Sequence, residues 1–206
     1  MNFKTEQEDF WSGEFGNEYN ERNKGDKILA ANLSFFPKAL KQAGLISSCI
    51  EFGANIGMNI EALKLLYPDI NLSAIEINST ASKILEGIIG KANVYNQSIL
   101  DYDENEKHDL ALIRGVLIHI NPDELDAVYD KLYLSSRKYI LMCEYYNPSP
   151  TTVSYRGHEN KLFKRDFGGE FMDKYEDVSL VDYGFVYHRD PAFPQDDITW
   201  WLFEKK

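Results

Sequence analysis

Long apolar runs are missing from this 206-residue chain. None approaches the roughly 20 residues that a bilayer-spanning helix needs. The opening MNFKTEQEDFW carries neither the basic nor the apolar block of a secretory signal. Both absences point to a cytoplasmic protein with no membrane partner. Cysteine is scarce: Cys49 and Cys143 sit far apart in apolar stretches, without the Cys or His neighbours of a zinc site, and read as buried reduced thiols. The histidines, at 108, 119, 158 and 188, are scattered, and no acidic pair has the spacing of an ion site. No metal is expected, and chelators should have no effect. Positive charge is also in deficit. A formal net charge of -11 repels phosphate backbones, which disfavours nucleic acid as a partner and favours a small molecule. There is no repeat, low-complexity tract or linker, and 44% hydrophobic residues suffice for one core, so a single domain is expected. Nothing in the pattern sets an oligomeric state.

What is present is alternation. Ser48 to Phe52 is a short apolar run followed by glycines, and Met58 to Tyr67 then places Ile60, Leu63, Leu65 and Leu66 at roughly helical spacing before Pro68. Leu72 to Ile77 reads as a second strand, and Asn78 or Ser79 can cap a helix carrying Ile84, Leu85, Ile88 and Ile89 up to Gly90. Val94 to Gln97 begins a third strand. Asp109 to Arg114 and Lys138 to Glu144 read as central strands, separated by a helix that starts near Asn121, Pro122, Asp123 and Glu124. Val178 to Tyr187 and Ile198 to Phe203 lie too close for a crossover helix and should pair antiparallel at one sheet edge. Upstream, Ile28, Leu29, Leu33, Phe35, Phe36 and Leu40 form a helical preamble with a stop at Gly44. The pattern is α/β with a mostly parallel sheet.

Glu51-Phe52-Gly53-Ala54-Asn55-Ile56-Gly57 is the most informative segment. Its glycines permit a sharp turn where a ligand can approach the backbone, immediately before a helix. Glu76 ends the second strand 23 residues beyond Gly53, close to the spacing at which an acid accepts hydrogen bonds from ribose hydroxyls. The spacing E-x-G-x-x-x-G departs from the dinucleotide G-x-G-x-x-G, so an adenosine cofactor without pyrophosphate fits better. The competing reading is a plain tight turn and a solvated strand end.

On these residues the sequence resembles the class I S-adenosylmethionine-dependent methyltransferases. That resemblance implies a Rossmann-like three-layer sandwich with a seven-stranded, mostly parallel sheet ending in an antiparallel hairpin. It implies Glu51 near the methionine moiety of S-adenosyl-L-methionine, with Gly53, Ala54, Asn55 and Gly57 facing the cofactor and Glu76 on the ribose. It also implies adenine framed by the segment Asn96 to Asp101, chiefly Ser98 and Ile99, with Ile77 and Arg114 completing the set. A closer likeness covers nearly the whole chain. Phe10-Trp11-Ser12-Gly13-Glu14-Phe15-Gly16-Asn17-Glu18-Tyr19, Gly115-Val116-Leu117-Ile118-His119-Ile120-Asn121-Pro122 and Glu144-Tyr145-Tyr146-Asn147-Pro148 resemble the pseudaminic acid biosynthesis-associated methylases. Tyr155-Arg156-Gly157-His158 and Leu162-Phe163-Lys164-Arg165-Asp166-Phe167 extend it. Residues 1–45 are then a helical cap, 46–206 the core and 145–175 a substrate-side insert. Tyr19 and Arg22, one helical turn apart, are expected to reach the methionine end from the cap.

Methyl transfer to a hydroxyl needs alignment, water exclusion and removal of a proton. His119, after the fourth strand, has a near-neutral pKa suited to that transfer, the alternative being a packing histidine. Tyr145, Tyr146 and Asn147 leave the fifth strand toward the same cleft, where they could hold a sugar or merely end the strand. Tyr146 joins His119 as a catalytic candidate. Arg156, His158, Lys161, Lys164 and Arg165 reverse the local charge, and with Tyr155 suggest an anionic acceptor. Pairing of these bases with Glu159, Asp166 and Glu170 on a helix face would make them ordinary surface. The favoured reading is methylation of a small hydroxylated anionic metabolite, such as a nonulosonate or nucleotide-sugar of surface-glycan synthesis. Its rivals are an RNA or protein methyltransferase, a nicotinamide enzyme and a non-catalytic cofactor-binding protein.

Overall fold

The computed structural model describes residues 3–103 and 106–206. Among them the helices are α1 (Glu6–Ser12), α2 (Glu14–Arg22), α3 (Asp26–Ala39), α4 (Met58–Leu66), α5 (Ser79–Ile89), α6 (Leu125–Ser135) and α7 (Phe167–Lys174). The strands are β1 (Ser48–Phe52), β2 (Asn71–Ile75), β3 (Val94–Tyr95), β4 (His108–Arg114), β5 (Ser136–Glu144), β6 (Thr151–Tyr155), β7 (His158–Lys164), β8 (Val178–Val186) and β9 (Ile198–Lys205). None of the described helices is long and apolar enough to cross a membrane.

Seven strands form one sheet in the order β3-β2-β1-β4-β5-β9-β8. All pairs up to β5 are parallel, and β9 is antiparallel to both β5 and β8. Composition explains why the last strand in sequence sits inside the edge. Trp200, Trp201, Leu202 and Phe203 of β9 are all buried, as a strand covered on both faces requires, whereas β8 leaves Tyr183 67% and Phe185 58% exposed. Alternate residues feed two cores, one on each face of the sheet. Cys49, Leu110, Leu112, Leu141 and Cys143 pack toward α3 and α4, while Ile50, Phe52, Ala111, Ile113, Ile140 and Met142 pack toward α6 and α7. Both cysteines are buried and free, and burial pushes their thiols well up from the ordinary range.

Several boundaries differ from the sequence reading. β2 ends at Ile75, so Glu76 lies just beyond it rather than within it, and β3 is only two residues long. Leu65 and Ile84, grouped above with the apolar helix faces, are 61% and 45% exposed, because at about 100° per residue Leu65 falls on the far side from Leu63 and Ile84 about a quarter-turn off the Leu85 face. α3 stops at Ala39, before Gly44, whose N–H instead donates to the Tyr139 hydroxyl at 2.9 Å. A short turn, Pro122–Glu124, precedes α6. The insert is no charged helix over the basic cluster: β6 and β7 form a separate antiparallel hairpin. α7 follows, capped by Asp166, whose carboxylate accepts from the Gly169 N–H at 2.9 Å.

The glycine of the first loop that lies nearest α4 is fixed by packing. Gly57 has φ +89°, and a Cβ there would stand 2.8 Å from Leu85 Cδ2 and 3.0 Å from Ile88 Cδ1. Gly57→Ala should therefore lose about 1–3 kcal/mol of unfolding free energy in urea titration. An unchanged midpoint would refute this account.

Candidate functional site

Strand order reverses between β1 and β4, the place where an open parallel sheet leaves a crevice at its carboxyl ends. There the protein has a cavity of about 670 Å³, walled by the loops after β1, β2 and β4, by α1 and α2, by Tyr155 and Arg156 and by the loop from His188 to Ile198. Its size is that of a small-molecule site.

The floor is the bend after β1. The N–H groups of Gly53 and Ala54 donate to Ile75 O at 2.9 and 3.2 Å, tying the bend to β2. Gly53 has φ +71°, and a Cβ there would lie 2.7 Å from Val116 Cγ2, so only glycine fits. Asn55, at φ +50°, donates its N–H to Glu76 Oε2 at 2.7 Å, while Asn78 N–H donates to Glu76 Oε1 at 2.7 Å. Both carboxylate oxygens keep lone pairs for further donors. Burial pushes the Glu76 pKa up although these amides pull it down. Ile77, Ser98 and Ile99 line the next stretch of wall. Asn96 Nδ2 donates to Glu76 O at 2.8 Å, and Ser98 Oγ accepts from Leu100 N–H at 3.0 Å.

Glu51 lies beneath the cavity and does not line it; it is 1% exposed. Its Oε1 accepts from Asn59 Nδ2 at 2.6 Å, and its Oε2 is buried without a partner. Desolvation pushes its pKa up to about 8, against the pull of Asn59 and Arg114. Arg114 lines the cavity and is pinned on three sides, by Asn32 Oδ1 at 2.7 Å, Asn59 Oδ1 at 2.8 Å and Gln195 Oε1 at 2.7 Å. Gly57 is absent from the lining, in keeping with its packing role.

One side chain, that of Asn78, ties the α2 part of the roof to the core. Asn78 caps α5, accepting at Oδ1 from Thr80 and Ala81 N–H, and also receives Asn20 Nδ2 at 3.2 Å and donates to Asn17 Oδ1 at 3.0 Å. This brings Tyr19 and Arg22 of α2 to the cavity wall. Desolvation pushes the Tyr19 hydroxyl well up from its ordinary range.

At the other end, His119 closes a short turn, Leu117–His119. Its Nδ1 lies 2.5 Å from Lys161 O. A carbonyl only accepts, so Nδ1 carries the proton and Nε2 of the neutral ring is bare. Burial lowers the His119 pKa to about 4. The ring lies 4.5 Å from Trp11 and 5.0 Å from Tyr155, centroid to centroid. Tyr145, Tyr155, Arg156 and Asp196 share this wall, and desolvation together with the Asp196 carboxylate pushes the Tyr145 hydroxyl far up.

Other expected site residues point elsewhere. Tyr146 is 46% exposed, outside the lining, and bridges by its backbone to Arg165. Asn147 Nδ2 holds the entry to the hairpin, on Ser149 O at 2.6 Å and Thr151 Oγ1 at 3.1 Å. The basic cluster is largely committed. His158 packs on Phe10 at 4.9 Å, Lys161 pairs with Glu6 at 3.0 Å, Lys164 stands 5.2 Å over the Tyr145 ring and Arg165 pairs with Glu170 at 2.6 Å. Arg156, at the hairpin tip with φ +51°, lines the cavity and has no ion pair among the described residues. Trp11, Asn59, Asn78, Glu144, Gln195 and Asp196 were not among the sequence candidates, although all line or brace the site. No group of three or more His, Cys, Asp or Glu among the described residues could hold a metal ion.

No family model and no curated protein matches the chain. Solved structures do. The Burkholderia thailandensis 1,6-didemethyltoxoflavin-N1-methyltransferase, with 1,6-didemethyltoxoflavin and S-adenosylhomocysteine bound, is 14% identical at a TM-score of 0.71, over 97% of this chain and 87% of that one. The Synechocystis magnesium protoporphyrin IX methyltransferase with bound S-adenosylmethionine is 10% identical at a TM-score of 0.66, over the whole of both chains. The plantazolicin methyltransferase in complex with S-adenosylhomocysteine is 14% identical at 0.64, over 97% and 94%. The chain thus has the Rossmann-like fold of the class I methyltransferases.

Glu51 offers a pH test. Its folded pKa of about 8 lies above the ordinary 4.5, so the folded state holds the proton more tightly. That stabilisation is complete below about 4.5 and is lost as pH rises through about 8. Glu51→Gln removes the titration, so the stability of the variant relative to wild type should climb between pH 5 and pH 9 in denaturant titrations. A pH-independent difference would contradict the assignment.

Proposed function

We propose that this protein is a methyltransferase that uses S-adenosyl-L-methionine, and that its acceptor is a small hydroxylated, anionic metabolite. The observation that carries the reading is the joint placement of the Gly53–Asn55 bend and Glu76 in a cavity that His119, its Nδ1 engaged by Lys161 O, also lines. We read the chain as one catalytic unit, with residues 1–45 as cap, 46–206 as core and 145–175 as acceptor-side insert.

The residues present fit the cofactor. Glu76 has lone pairs left for ribose hydroxyls, Ser98 and Ile99 flank the place for adenine, and Tyr19, Arg22 and Arg114 surround the place for the amino-acid end. Glu51, which does not line the cavity, braces it from beneath by accepting from Asn59, a lining residue. The neighbours crystallised with S-adenosylmethionine or S-adenosylhomocysteine support the same choice. When bound, the cofactor supplies an electrophilic methyl group on a positively charged sulfur.

This chain's own part is to hold and deprotonate the acceptor. Trp11, Tyr145 and Tyr155 offer flat walls against which a sugar ring can stack, and Arg156 offers its charge to a carboxylate or phosphate. His119 Nε2 would take the proton of the acceptor hydroxyl, freeing that oxygen to act as the nucleophile and leaving the ring as an imidazolium. Acidic sugars of the nonulosonate or nucleotide-linked type satisfy these demands.

Calorimetry should detect binding of S-adenosylhomocysteine in preference to a nicotinamide dinucleotide, and Glu76→Ala should weaken it about 30-fold, roughly 2 kcal/mol. No binding by the wild-type protein ends the proposal. Incubation of methyl-labelled cofactor with a small-metabolite extract, read by mass, should reveal an acidic polyol gaining one methyl. In that assay His119→Ala should reduce turnover by about 10²-fold or more with cofactor affinity retained, whereas Arg156→Ala should raise acceptor KM.

A further inference from the structure

Glu144 lies at the carboxyl end of β5, is fully buried and has no place in the cavity lining. Its carboxylate is nonetheless aimed at the loop that follows β4. Oε1 accepts from the N–H groups of Val116 and Leu117, both at 3.0 Å, and Oε2 lies 3.4 Å from that of Ile118. Three successive amides of one turn are thus gathered on one carboxyl group; burial pushes its pKa up to about 7 although the amides pull it down, and in the ionised form such charge-assisted bonds are about twice as strong as neutral ones. The turn then closes on itself, with His119 N–H donating to Val116 O at 2.8 Å. Val116, Ile118 and His119 are all cavity residues, and Tyr145, the residue after the glutamate, is another.

We infer that Glu144 is the positioning residue for His119: by holding the Val116–Ile118 amides it sets the turn at the height where the imidazole Nδ1–H meets Lys161 O and Nε2 stays bare. No other side chain accepts from those three amides among the described residues. Lys161 belongs to β7, so the histidine is clamped between two separately anchored elements, and a shift of the turn by about an ångström would carry the bond out of range. The part of a base assigned to His119 rests on the proposed function, but the positioning itself does not.

The test reads the ring directly. In the uniformly 15N-labelled full-length protein, long-range proton–nitrogen spectra should find His119 in the Nδ1–H tautomer. Glu144→Gln keeps the shape but turns an NH2 group toward an amide N–H. It should lose the Nδ1–H signature in favour of the Nε2–H form or an average of the two, while the ring signals of His108, held at Nε2 by Ser73 Oγ at 3.1 Å, stay in place as a control on the fold. An unchanged His119 tautomer in that variant overturns the inference. Should Glu144→Gln fail to fold, Glu144→Asp, which keeps the charge but is one methylene short, carries the same two outcomes. Titration of the wild-type protein with S-adenosylhomocysteine separates the two claims. Absence of binding removes the proposed function and leaves the positioning intact, whereas an unmoved His119 does the reverse.

Discussion

Three glutamates buried at the carboxyl ends of β1, β2 and β5 hold the rim of the cavity, and the rest of the site depends on how each is satisfied. Glu51, Glu76 and Glu144 are 1%, 7% and 0% exposed. A carboxylate taken from water costs several kcal/mol unless donors replace the lost hydration. Glu76 recruits the amides of Asn55 and Asn78, and Glu144 those of the turn after β4. Glu51 has only Asn59, with the Arg114 charge nearby, and one of its oxygens remains unpartnered. Burial shifts all three pKa values upward, so the acids that shape the site also contribute less negative charge than the formal count of -11 implies.

The cap is attached by the same economy of groups. Asn78 at once starts α5 and anchors α2, so the residue that orders the helix beside the bend also fixes Tyr19 over it. On the far side α1 meets the hairpin through aromatic contacts, with Phe10 on His158 and Trp11 between His119 and Tyr155, and through Gln7 Nε2 on Asn160 O at 3.0 Å. Such ring pairs add about 0.5–1.5 kcal/mol beyond their buried area. Cap and hairpin are each small, and each supplies a wall the other lacks.

Much of the sheet was legible because parallel strands buried on both faces write themselves as continuous apolar runs, as in Ser48–Phe52 and Leu110–Ile113. The bend and Glu76 were legible for a similar reason, since glycine and acid at that spacing follow from backbone geometry. The cause at Gly57 was not, because the side chains that crowd it, Leu85 and Ile88, come from a helix more than 25 residues downstream. The hairpin hid behind the polar stretch His158–Asn160, and α7 behind two glycines in its first turn. The basic residues between Arg156 and Arg165 are close in sequence, and Glu170, the partner of Arg165, was legible there too, but Glu6 and Tyr145, distant in sequence, draw Lys161 and Lys164 apart, which a linear count of charge could not foresee.

For the base that we propose His119 to be, its low pKa looks at first like poor equipment. A free alcohol is far too weak an acid to surrender its proton to a ring with a pKa of about 4. In the proposed role, however, the ring would receive the proton from an oxygen that is acting as a nucleophile, and an oxygen carrying a third bond is strongly acidic. What the ring then needs is to be neutral whenever substrate arrives and to present a lone pair in a fixed direction. Burial secures neutrality at any pH well above 4, and the bond to Lys161 O fixes which nitrogen is bare. A more solvated histidine would be the stronger base in water, yet partly protonated near neutrality and free to adopt the wrong tautomer. The same desolvation that weakens the isolated ring also excludes water, the nucleophile with which an acceptor hydroxyl must compete.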